Sequence, residues 1–476
     1  MNELVIVGAG PAGMAGAVAA AEHGIDVLVI DEQAQGGGQI FRRPPASFGV
    51  KTNYGPYRWA EQLIARFESH PRIRTMFRST AYGVLRDRDA SGMQLQIGVS
   101  RDGHGETVAA GRLLIATGAY DMPVAFPGWT LPGVMTVGAA QSLLKSQKVL
   151  AGRRIILAGS HPLLLIAAEQ LIDAGAQIAE IAFARGLPSV SEAAKAIPAA
   201  PGHLAVFAEA ARATAKLVAR GVKISTRTIV TEAIGKSSLR GAKLSRVDRN
   251  WRPVGTSREL EGDLLLLGYG FSPSTELARQ AGCEMLWSSK LGGWVVRHDA
   301  SFATSAESIY IAGEPTGVAG AEQSWAEGWH AGLNIAYSLG VRTQELTKAL
   351  ADSETHLTKS ARFSSVVQKM FEPNRHALAH LSAPKETIVC RCELVTSERI
   401  DEVLDLNPFL SSSSALKLEC RSGMGPCQGR YCEGTVSARI AEARKSDIES
   451  SGYFTAHFPI KPVVLNAYQG LDDSQK

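Results

Sequence analysis

Residues 4–31 read LVIVGAGPAGMAGAVAAAEHGIDVLVID, and this stretch decides how the beginning of the chain folds. An apolar run leads into the pattern G-x-G-x-x-G at Gly8, Gly10 and Gly13. A run of small residues follows, and a second apolar run ends at Asp31. The order of strand, glycine turn, helix and strand predicts a β-α-β unit that binds a dinucleotide.

Each conspicuous residue of this unit has a physical role in such a site. Gly8 allows a tight turn, Gly10 lets a diphosphate approach the backbone, and Gly13 lets helix and strand pack closely. The helix N-terminus offers unpaired N–H groups to the phosphates, and an acid at the end of the second strand accepts from a ribose hydroxyl. The alternative is a glycine-rich turn that binds nothing. The candidate cofactor-binding residues are Gly8, Gly10, Pro11, Ala12, Gly13, Asp31 and Glu32.

Length and charge exclude several classes of protein. The chain has 476 residues, enough for two to four domains, and 50 Lys and Arg against 46 Asp and Glu. No basic stripe is present, so we expect no nucleic-acid partner. No apolar run is long enough to span a bilayer, and the N-terminus does not read as a signal peptide, so we expect a cytoplasmic protein. Five of the six cysteines lie between residues 390 and 432, and this clustering favours a metal over a disulfide framework.

Three further segments resemble the two-dinucleotide-domain flavoproteins of the glutathione- and thioredoxin-reductase-like fold. They are GGGQIFR (36–42), RLLIATGAYDMP (112–123) and SIYIAGEPTGVAGAEQSWAEGWHAG (308–332). The resemblance implies an α/β fold with FAD at the first site. It adds these cofactor-binding candidates: Gly38, Gln39, Thr117, Gly118, Gly313 and Glu314. Glu314 stands where that family usually has Asp.

The first unit recurs later in the chain. A shift of 151 residues places 4–31 on 155–182 without a gap. Gly159, Pro162 and Gly175 stand at the positions of Gly8, Pro11 and Gly24. However, His161, Leu164 and Ala182 stand at the positions of Gly10, Gly13 and Asp31. We therefore interpret 152–182 as a second β-α-β unit kept as scaffold without NAD(P) binding, so that NADH and NADPH should not reduce the flavin at a useful rate.

Two alternatives remain for this second unit. One is an unusual NADPH site in which Arg185 meets the 2′-phosphate. The other is that His161 binds a different anion at the helix start. Neither Cys-x-x-Cys nor Cys-x4-Cys occurs near the flavin motifs, so no dithiol centre of the disulfide-reductase type is expected there.

Four cysteines near the C-terminus form a candidate metal site. Cys390-x-Cys392 is followed by Cys427-x4-Cys432 within CRCE and GMGPCQGRYC. Four thiolates can hold a [2Fe–2S] cluster, and the one-residue spacing of the first pair suits structural zinc poorly. Zinc and free buried thiols remain alternatives. The segment resembles the bacterioferritin-associated-ferredoxin-like [2Fe–2S] domain. Cys283 and Cys420 do not fit the ligand pattern and are expected in apolar cores.

Nearly the whole chain resembles the alpha subunits of heteromeric opine and amino-acid dehydrogenases. That resemblance implies that a D-amino-acid-oxidase-like beta subunit oxidises a C–N bond and that electrons pass through flavin and [2Fe–2S] to an acceptor. It also implies a small gamma subunit or FMN at the subunit interface in some members, ATP in place of FAD in others, and peripheral membrane association through the complex. The substrate stays open among opines, hydroxyproline, proline and glycine, and no catalytic residue is assigned.

Two other functions and a domain plan complete these expectations. The other functions are a self-sufficient NAD(P)H-dependent oxidoreductase and a structural nucleotide-binding subunit without redox turnover. His330 and Trp329 should belong to a packed helix face. The expected domains are a discontinuous FAD-binding domain at 1–120 and 288–340, a second, degraded NAD-type domain at 121–287 and a [2Fe–2S] domain at 385–445. Within the second domain we expect an inserted loop at 186–202 and an amphipathic stretch at 203–220. A helical linker at 341–384 and an extended tail at 446–476 complete the chain.

Overall fold

The first half of the fold is a mostly parallel sheet built on the opening strand. The computed structural model describes residues 2–50, 52, 54–89, 92–186 and 203–468. Its first elements are β1 (Asn2–Val7), α1 (Pro11–Glu22), β2 (Val27–Asp31), α2 (Trp59–Ser69), β3 (Ile73–Phe77), β4 (Ser79–Asp89), β5 (Gly92–Arg101) and β6 (His104–Ile115). The strands lie in the order β3-β2-β1-β6-β5-β4. β1 is apolar throughout its second half and lies between parallel neighbours, as expected of a strand covered on both faces.

A second parallel sheet follows, and it contains the repeated unit. Its region comprises β7 (Ala119–Asp121), β8 (Val134–Thr136), α3 (Val137–Ser142), β9 (Arg154–Gly159), α4 (Leu163–Asp173), β10 (Gln177–Phe183), α5 (Leu204–Ala219), β11 (Ile224–Ser225), β12 (Thr228–Gly235), β13 (Leu239–Val247), β14 (Pro253–Glu261) and β15 (Leu264–Gly268). The parallel order is β11-β10-β9-β15-β8, and β12 to β14 form an antiparallel sheet. The predicted second β-α-β unit is confirmed as β9-α4-β10, and the amphipathic stretch as α5. Residues 187–202 of the predicted insertion lie outside the described residues.

The chain then returns to the first sheet. The returning elements are β16 (Phe271–Pro273), α6 (Glu276–Gln280), β17 (Met285–Ser288), β18 (Gly293–Val296), β19 (Ile309–Ile311) and α7 (Ala321–Ser338). β16 pairs with β7, and β19 joins the first sheet beside β6. α7 packs so tightly on α1 that a Cβ at Gly328 would lie 2.0 Å from the carbonyl oxygen of Ala12. Glycine is therefore required at this helix contact.

The remaining elements form a linker and a small separate core. They are α8 (Gln344–Met370), α9 (Arg375–His380), β20 (Ile388–Cys390), β21 (Val395–Thr396), α10 (Ser397–Leu406), α11 (Ser413–Cys420) and α12 (Glu433–Arg444). The small core buries Ile400, Leu416 and Val436 completely. None of the described helices has the length and apolar character needed to cross a lipid bilayer.

The described part of the tail crosses from this small core to the first sheet. Phe454 belongs to the small core, whereas Ile460 belongs to the core of the first sheet. The N–H of Ile460 donates to the carbonyl oxygen of Tyr82 at 2.8 Å. The segment up to residue 468 is thus an arm that packs on its own chain.

Candidate functional site

A cavity of about 940 Å³ lies between the two sheets. Such a volume is at the upper end of the range for small-molecule and cofactor sites. Ten of the thirteen predicted cofactor-binding residues line it: Gly8, Gly10, Pro11, Asp31, Glu32, Gly38, Gln39, Thr117, Gly118 and Glu314. Ala12, Gly13 and Gly313 lie behind this wall, where a Cβ on Gly313 would come within 2.8 Å of the Ala12 side chain.

The first glycine loop has the crowding that its motif predicts. Gly8 has a φ of +108°, and its Cβ would lie 2.2 Å from the carbonyl oxygen of Ala116. A Cβ on Gly13 would lie 1.8 Å from the carbonyl oxygen of Gly8. At Gly10 no atom comes nearer than the Cα of Gly38, at 3.9 Å. Gly8 and Gly13 are therefore required by packing, whereas Gly10 keeps space open in front of the helix.

Asp31 ties the second strand to this loop. One carboxylate oxygen accepts the N–H of Ala9 at 2.6 Å, and the other accepts the N–H of Gln33 at 2.7 Å. Burial raises the pKa of Asp31, although these two hydrogen bonds act in the opposite direction. The neighbouring Glu32 accepts a hydrogen bond from Lys461 of the tail at 2.5 Å. The tail therefore covers the acidic end of the nucleotide loop.

The A-T-G turn and the 36–42 loop contact the facing sheet. The hydroxyl of Thr117 donates to the carbonyl oxygen of Ser274 at 2.6 Å, and the Gly118 carbonyl accepts from the N–H of Ser274 at 2.9 Å. The Gln39 side chain accepts from the hydroxyl of Ser142 at 3.3 Å. These contacts close the cavity on both sides of the first loop.

Two buried acids organise the start of α7. Glu314 accepts from the N–H of Gly320 at 2.9 Å, and burial raises its pKa. Glu327 accepts from the N–H of Gly313 at 2.8 Å and from the hydroxyl of Thr316 at 2.7 Å. Burial raises the pKa of Glu327 to about 7. Sequence reasoning missed Glu327, whose signal is an acid on the predicted inner face of this helix.

Two cations on the cavity wall were also missed. Arg42 and Lys145 both line the cavity, and burial lowers the pKa of each. The Nε of Arg42 is buried and has no hydrogen-bond partner among the described residues, and the Lys145 ammonium donates only weakly to the carbonyl oxygen of Ile40 at 3.5 Å. The charge of Lys145 is repelled by that of Arg42, which contributes to its lowered pKa. Arg42 and Lys145 place two positive charges on the cavity wall, which the carboxylates of Asp31 and Glu209 offset only from a distance, and this favours an anion there.

The helix start of the second unit lines the same cavity, with His161, Pro162 and Leu163 at its wall, but its own side chains cap it. His161 Nδ1 accepts the N–H of Leu163 at 3.2 Å, and its ring contacts the edge of Phe271 at a centroid distance of 5.2 Å. Leu164 is fully buried, and its Cδ2 lies 2.9 Å from the position of a Cβ on Gly268. Ala182 is also fully buried. The helix start that would bind a diphosphate is thus capped from within the chain.

The four predicted ligand cysteines lie together at the small C-terminal core, with Cys390 and Cys432 buried in it, Cys427 half-buried and Cys392 exposed. The Cys390 thiol is hydrogen-bonded to that of Cys432, which lowers the pKa of Cys390 to about 6. Cys392 interacts with Cys427 and with the charge of Cys390, and burial raises its pKa. Over the ranges that the structure describes, no group of three or more His, Cys, Asp and Glu side chains is arranged to hold a metal ion. The thiols instead form two neighbouring pairs.

The backbone around these thiols is crowded in a way that fits a compact sulfur-ligated group. A Cβ on Gly425 would lie 2.2 Å from the Cβ of Cys392. Gly423 has a φ of +89°, and its N–H points to the Cys390 sulfur at 3.5 Å. Backbone N–H groups directed at sulfur are typical of iron–sulfur sites. Four thiols with a backbone N–H directed at one of them are donors of the type that a sulfur-ligated iron group uses.

Four residues that the sequence predicts to be packed in the interior of the protein contact neighbouring side chains. Cys283 and Cys420 are buried in apolar clusters, which confirms their predicted core role. His330 is buried and hydrogen-bonded to the Ser353 hydroxyl at 2.7 Å, and Trp329 packs against Trp325. His330 and Trp329 therefore belong to a packed helix face, as predicted.

Comparison with known proteins identifies relatives that match this chain over nearly its whole length. The chain is 32% identical over 468 residues to the A subunit of opine oxidase from Agrobacterium tumefaciens, with 97% of this chain and 90% of that protein covered. It is 30% identical to hydrogen cyanide synthase subunit HcnB of Pseudomonas protegens, with 98% and 97% covered. The fold is similar to that of L-proline dehydrogenase from P. horikoshii, with a TM-score of 0.68 at 19% identity over 97% of this chain and 78% of that one.

The sequence model of the pyridine nucleotide-disulphide oxidoreductases matches residues 2–334. This match confirms the predicted flavoprotein fold and implies a flavin cofactor and an oxidoreductase activity. The chain thus belongs to the pyridine nucleotide-disulphide oxidoreductase family, in the group that contains the opine oxidase A subunits and hydrogen cyanide synthase subunit HcnB.

Proposed function

We propose that this chain is the electron-transfer alpha subunit of a heteromeric flavin-dependent dehydrogenase or oxidase. Its partner beta subunit is a D-amino-acid-oxidase-like flavoprotein, and it oxidises the C–N bond of an amino acid or opine. Electrons then reach an acceptor through flavin and [2Fe–2S]. The observation that carries the proposal is the presence, in one chain, of an open nucleotide loop, four neighbouring thiols and a second nucleotide unit whose helix start is capped by His161.

The electron source follows from the second unit. A hydride donor such as NADPH needs its diphosphate close to the backbone at the helix start. Here His161 occupies the position of the middle glycine, and Leu164 fills the space beside Gly268. Electrons must therefore enter from outside this chain, and a partner flavoprotein supplies them.

The roles of the chain's own residues are binding and spacing. Of the thirteen predicted residues, the ten that line the cavity hold FAD, with ATP as the alternative nucleotide, and the other three support the wall behind them. The cluster is held by Cys390, Cys392, Cys427 and Cys432. A cluster converts the two-electron chemistry of a flavin into one-electron steps, and the protein tunes potentials and distances. We assign no catalytic residue in this chain, because the substrate pocket belongs to the partner.

The names of the relatives support this assignment. The opine oxidase protein and HcnB are each one subunit of their enzyme by name, and both match this chain over nearly its whole length. A small gamma subunit and FMN at the subunit interface are further components of the proposed complex. The substrate class is an opine, proline, hydroxyproline or glycine.

Purification of the native complex tests the proposal. We expect a beta subunit to co-purify, with flavin, iron and labile sulfide in the complex. Addition of the correct amine substrate should bleach the flavin absorbance and produce an EPR signal from the reduced cluster. Rapid bleaching by stoichiometric NADPH would instead support a self-sufficient oxidoreductase. A cluster that stays oxidised while substrate is consumed would support a structural subunit.

A further inference from the structure

A buried ion pair joins the cysteine loop to the nucleotide cavity. Arg430 lies between Cys427 and Cys432, and its Nε is 3.1 Å from Glu276, with 15% and 11% of the two side chains exposed. The same guanidinium donates to the carbonyl oxygen of Cys427 at 3.0 Å. Arg430 itself lines the cavity. One side chain therefore contacts the cysteine loop and the cavity wall together.

Glu276 is fixed on the cavity side of this pair. The hydroxyl of Tyr120 donates to one carboxylate oxygen at 3.2 Å, and the hydroxyl of Ser274 donates to the other at 3.1 Å. Ser274 is also the residue whose carbonyl accepts from Thr117, a predicted cofactor-binding residue. The contacts thus run without interruption from the A-T-G turn to Cys427.

A second ion pair holds the same two regions together. Arg279 donates two hydrogen bonds to Glu433, at 2.7 and 3.0 Å, and Glu433 directly follows Cys432. Glu433 also accepts from the N–H of Phe454 at 2.9 Å. This bidentate pair attaches the loop beside Cys432, whereas Arg430 attaches it at Cys427.

Attachment of the cysteine loop does not by itself require a charged side chain at position 430. A buried ion pair contributes little net stability compared with an apolar contact of the same size. A buried charge does, however, change the free energy of adding an electron nearby, because its field is poorly screened. A positive charge favours reduction, and a negative one opposes it.

We propose that Arg430 and Glu276 are positioning residues that fix the cysteine loop against the flavin cavity and set the reduction potential of the group held by Cys427. This inference rests on the proposed function, since it requires a sulfur-ligated redox group at that loop. It assigns a role to two residues that are 154 positions apart in the sequence and that no motif identifies.

Substitutions of opposite charge test the inference. In the purified complex, R430Q should lower the midpoint potential of the cluster and E276Q should raise it. We expect each shift to be about 59 mV, which corresponds to a roughly tenfold change in the equilibrium constant for one-electron reduction. R430K, which keeps the charge, should stay close to the wild-type potential. The control is R421Q, because Arg421 pairs with Glu393 in the same small core but is 67% exposed and therefore screened.

The outcomes separate this inference from the proposed function. A wild-type complex without iron would refute the cluster itself. The role of this pair would be overturned if every variant kept the wild-type iron content and R430Q and E276Q shifted the midpoint potential in the same direction or not at all. Hydrogen exchange gives a reading that needs no cofactor: we expect faster exchange at residues 427–432 in R430Q than in R421Q, and equal rates would contradict the positioning role.

Discussion

His161 Nδ1 accepts the backbone N–H of Leu163 at 3.2 Å, so the second nucleotide unit caps its own helix. At the equivalent position of the first unit, Gly10 leaves the helix start open, with no atom nearer to its Cβ position than 3.9 Å. The two units share a fold but differ in the group that meets the helix N-terminus. In the first this is space for a ligand, and in the second it is an imidazole.

The capped helix predicts that nicotinamide nucleotides do not reduce the flavin. Anaerobic mixing of the complex with stoichiometric NADPH should leave the flavin absorbance unchanged over minutes. H161G alone should not restore reduction, because Leu164 still fills the space beside Gly268. Fast bleaching of the wild-type protein would refute the interpretation of the second unit as scaffold.

The same imidazole predicts a pH dependence of stability. Burial lowers the pKa of His161 to about 4, below the usual 6.5, so the unfolded chain binds a proton before the folded one does. The stabilising contribution of neutral His161 is complete above pH 6.5 and is lost as the pH falls towards 4. Relative to H161N, the wild type should lose about 2 kcal/mol of unfolding free energy between pH 6.5 and 5. Urea unfolding at both pH values measures this difference, and parallel curves would contradict it.

The position of Arg42 on the cavity wall predicts a contact with the bound nucleotide. R42M should lose nucleotide during purification, because Arg42 lines the cavity and its buried Nε has no hydrogen-bond partner among the described residues. The matched control is R43M, since the neighbouring Arg43 pairs with Glu68 at 2.5 Å and does not line the cavity. The absorbance spectrum of nucleotide released by denaturation gives both the amount and its identity as flavin or adenine nucleotide. Equal retention in the two variants would exclude the contact.

The four thiols predict metal content that depends on each of them. C392S and C427S should each lose iron and labile sulfide, whereas C283S should keep both, because Cys283 lies in the core of the first sheet. Metal analysis of the wild type also decides between iron and zinc. Zinc without sulfide would overturn the [2Fe–2S] assignment and leave the fold unchanged.

The parts of the fold that depend on local crowding can be predicted from the sequence. Gly8 and Gly13 are recognisable because a Cβ at either position would meet backbone atoms of the same β-α-β unit or of the strand beside it. The contact of Arg430 with Glu276 and that of Lys461 with Glu32 cannot be predicted in this way, because both join distant segments and no periodicity marks them. The tail is expected to be extended, but its packing partner emerges only from the folded chain.

Alanine substitutions at Gly425 and Gly434 distinguish what the cysteine site requires of the backbone from what the fold requires. G425A should displace Cys392, because the new Cβ would lie 2.2 Å from the Cys392 Cβ, and the protein should lose iron while keeping its helical content. G434A adds the same methyl group in α12, where no atom lies within 4 Å of the new Cβ. Alanine forms helices at least as well as glycine, so G434A should keep its iron and melt at the same or a higher temperature. Iron analysis and thermal melting of both variants measure the difference. Equal iron content would show that the backbone at Gly425 does not shape the thiol site.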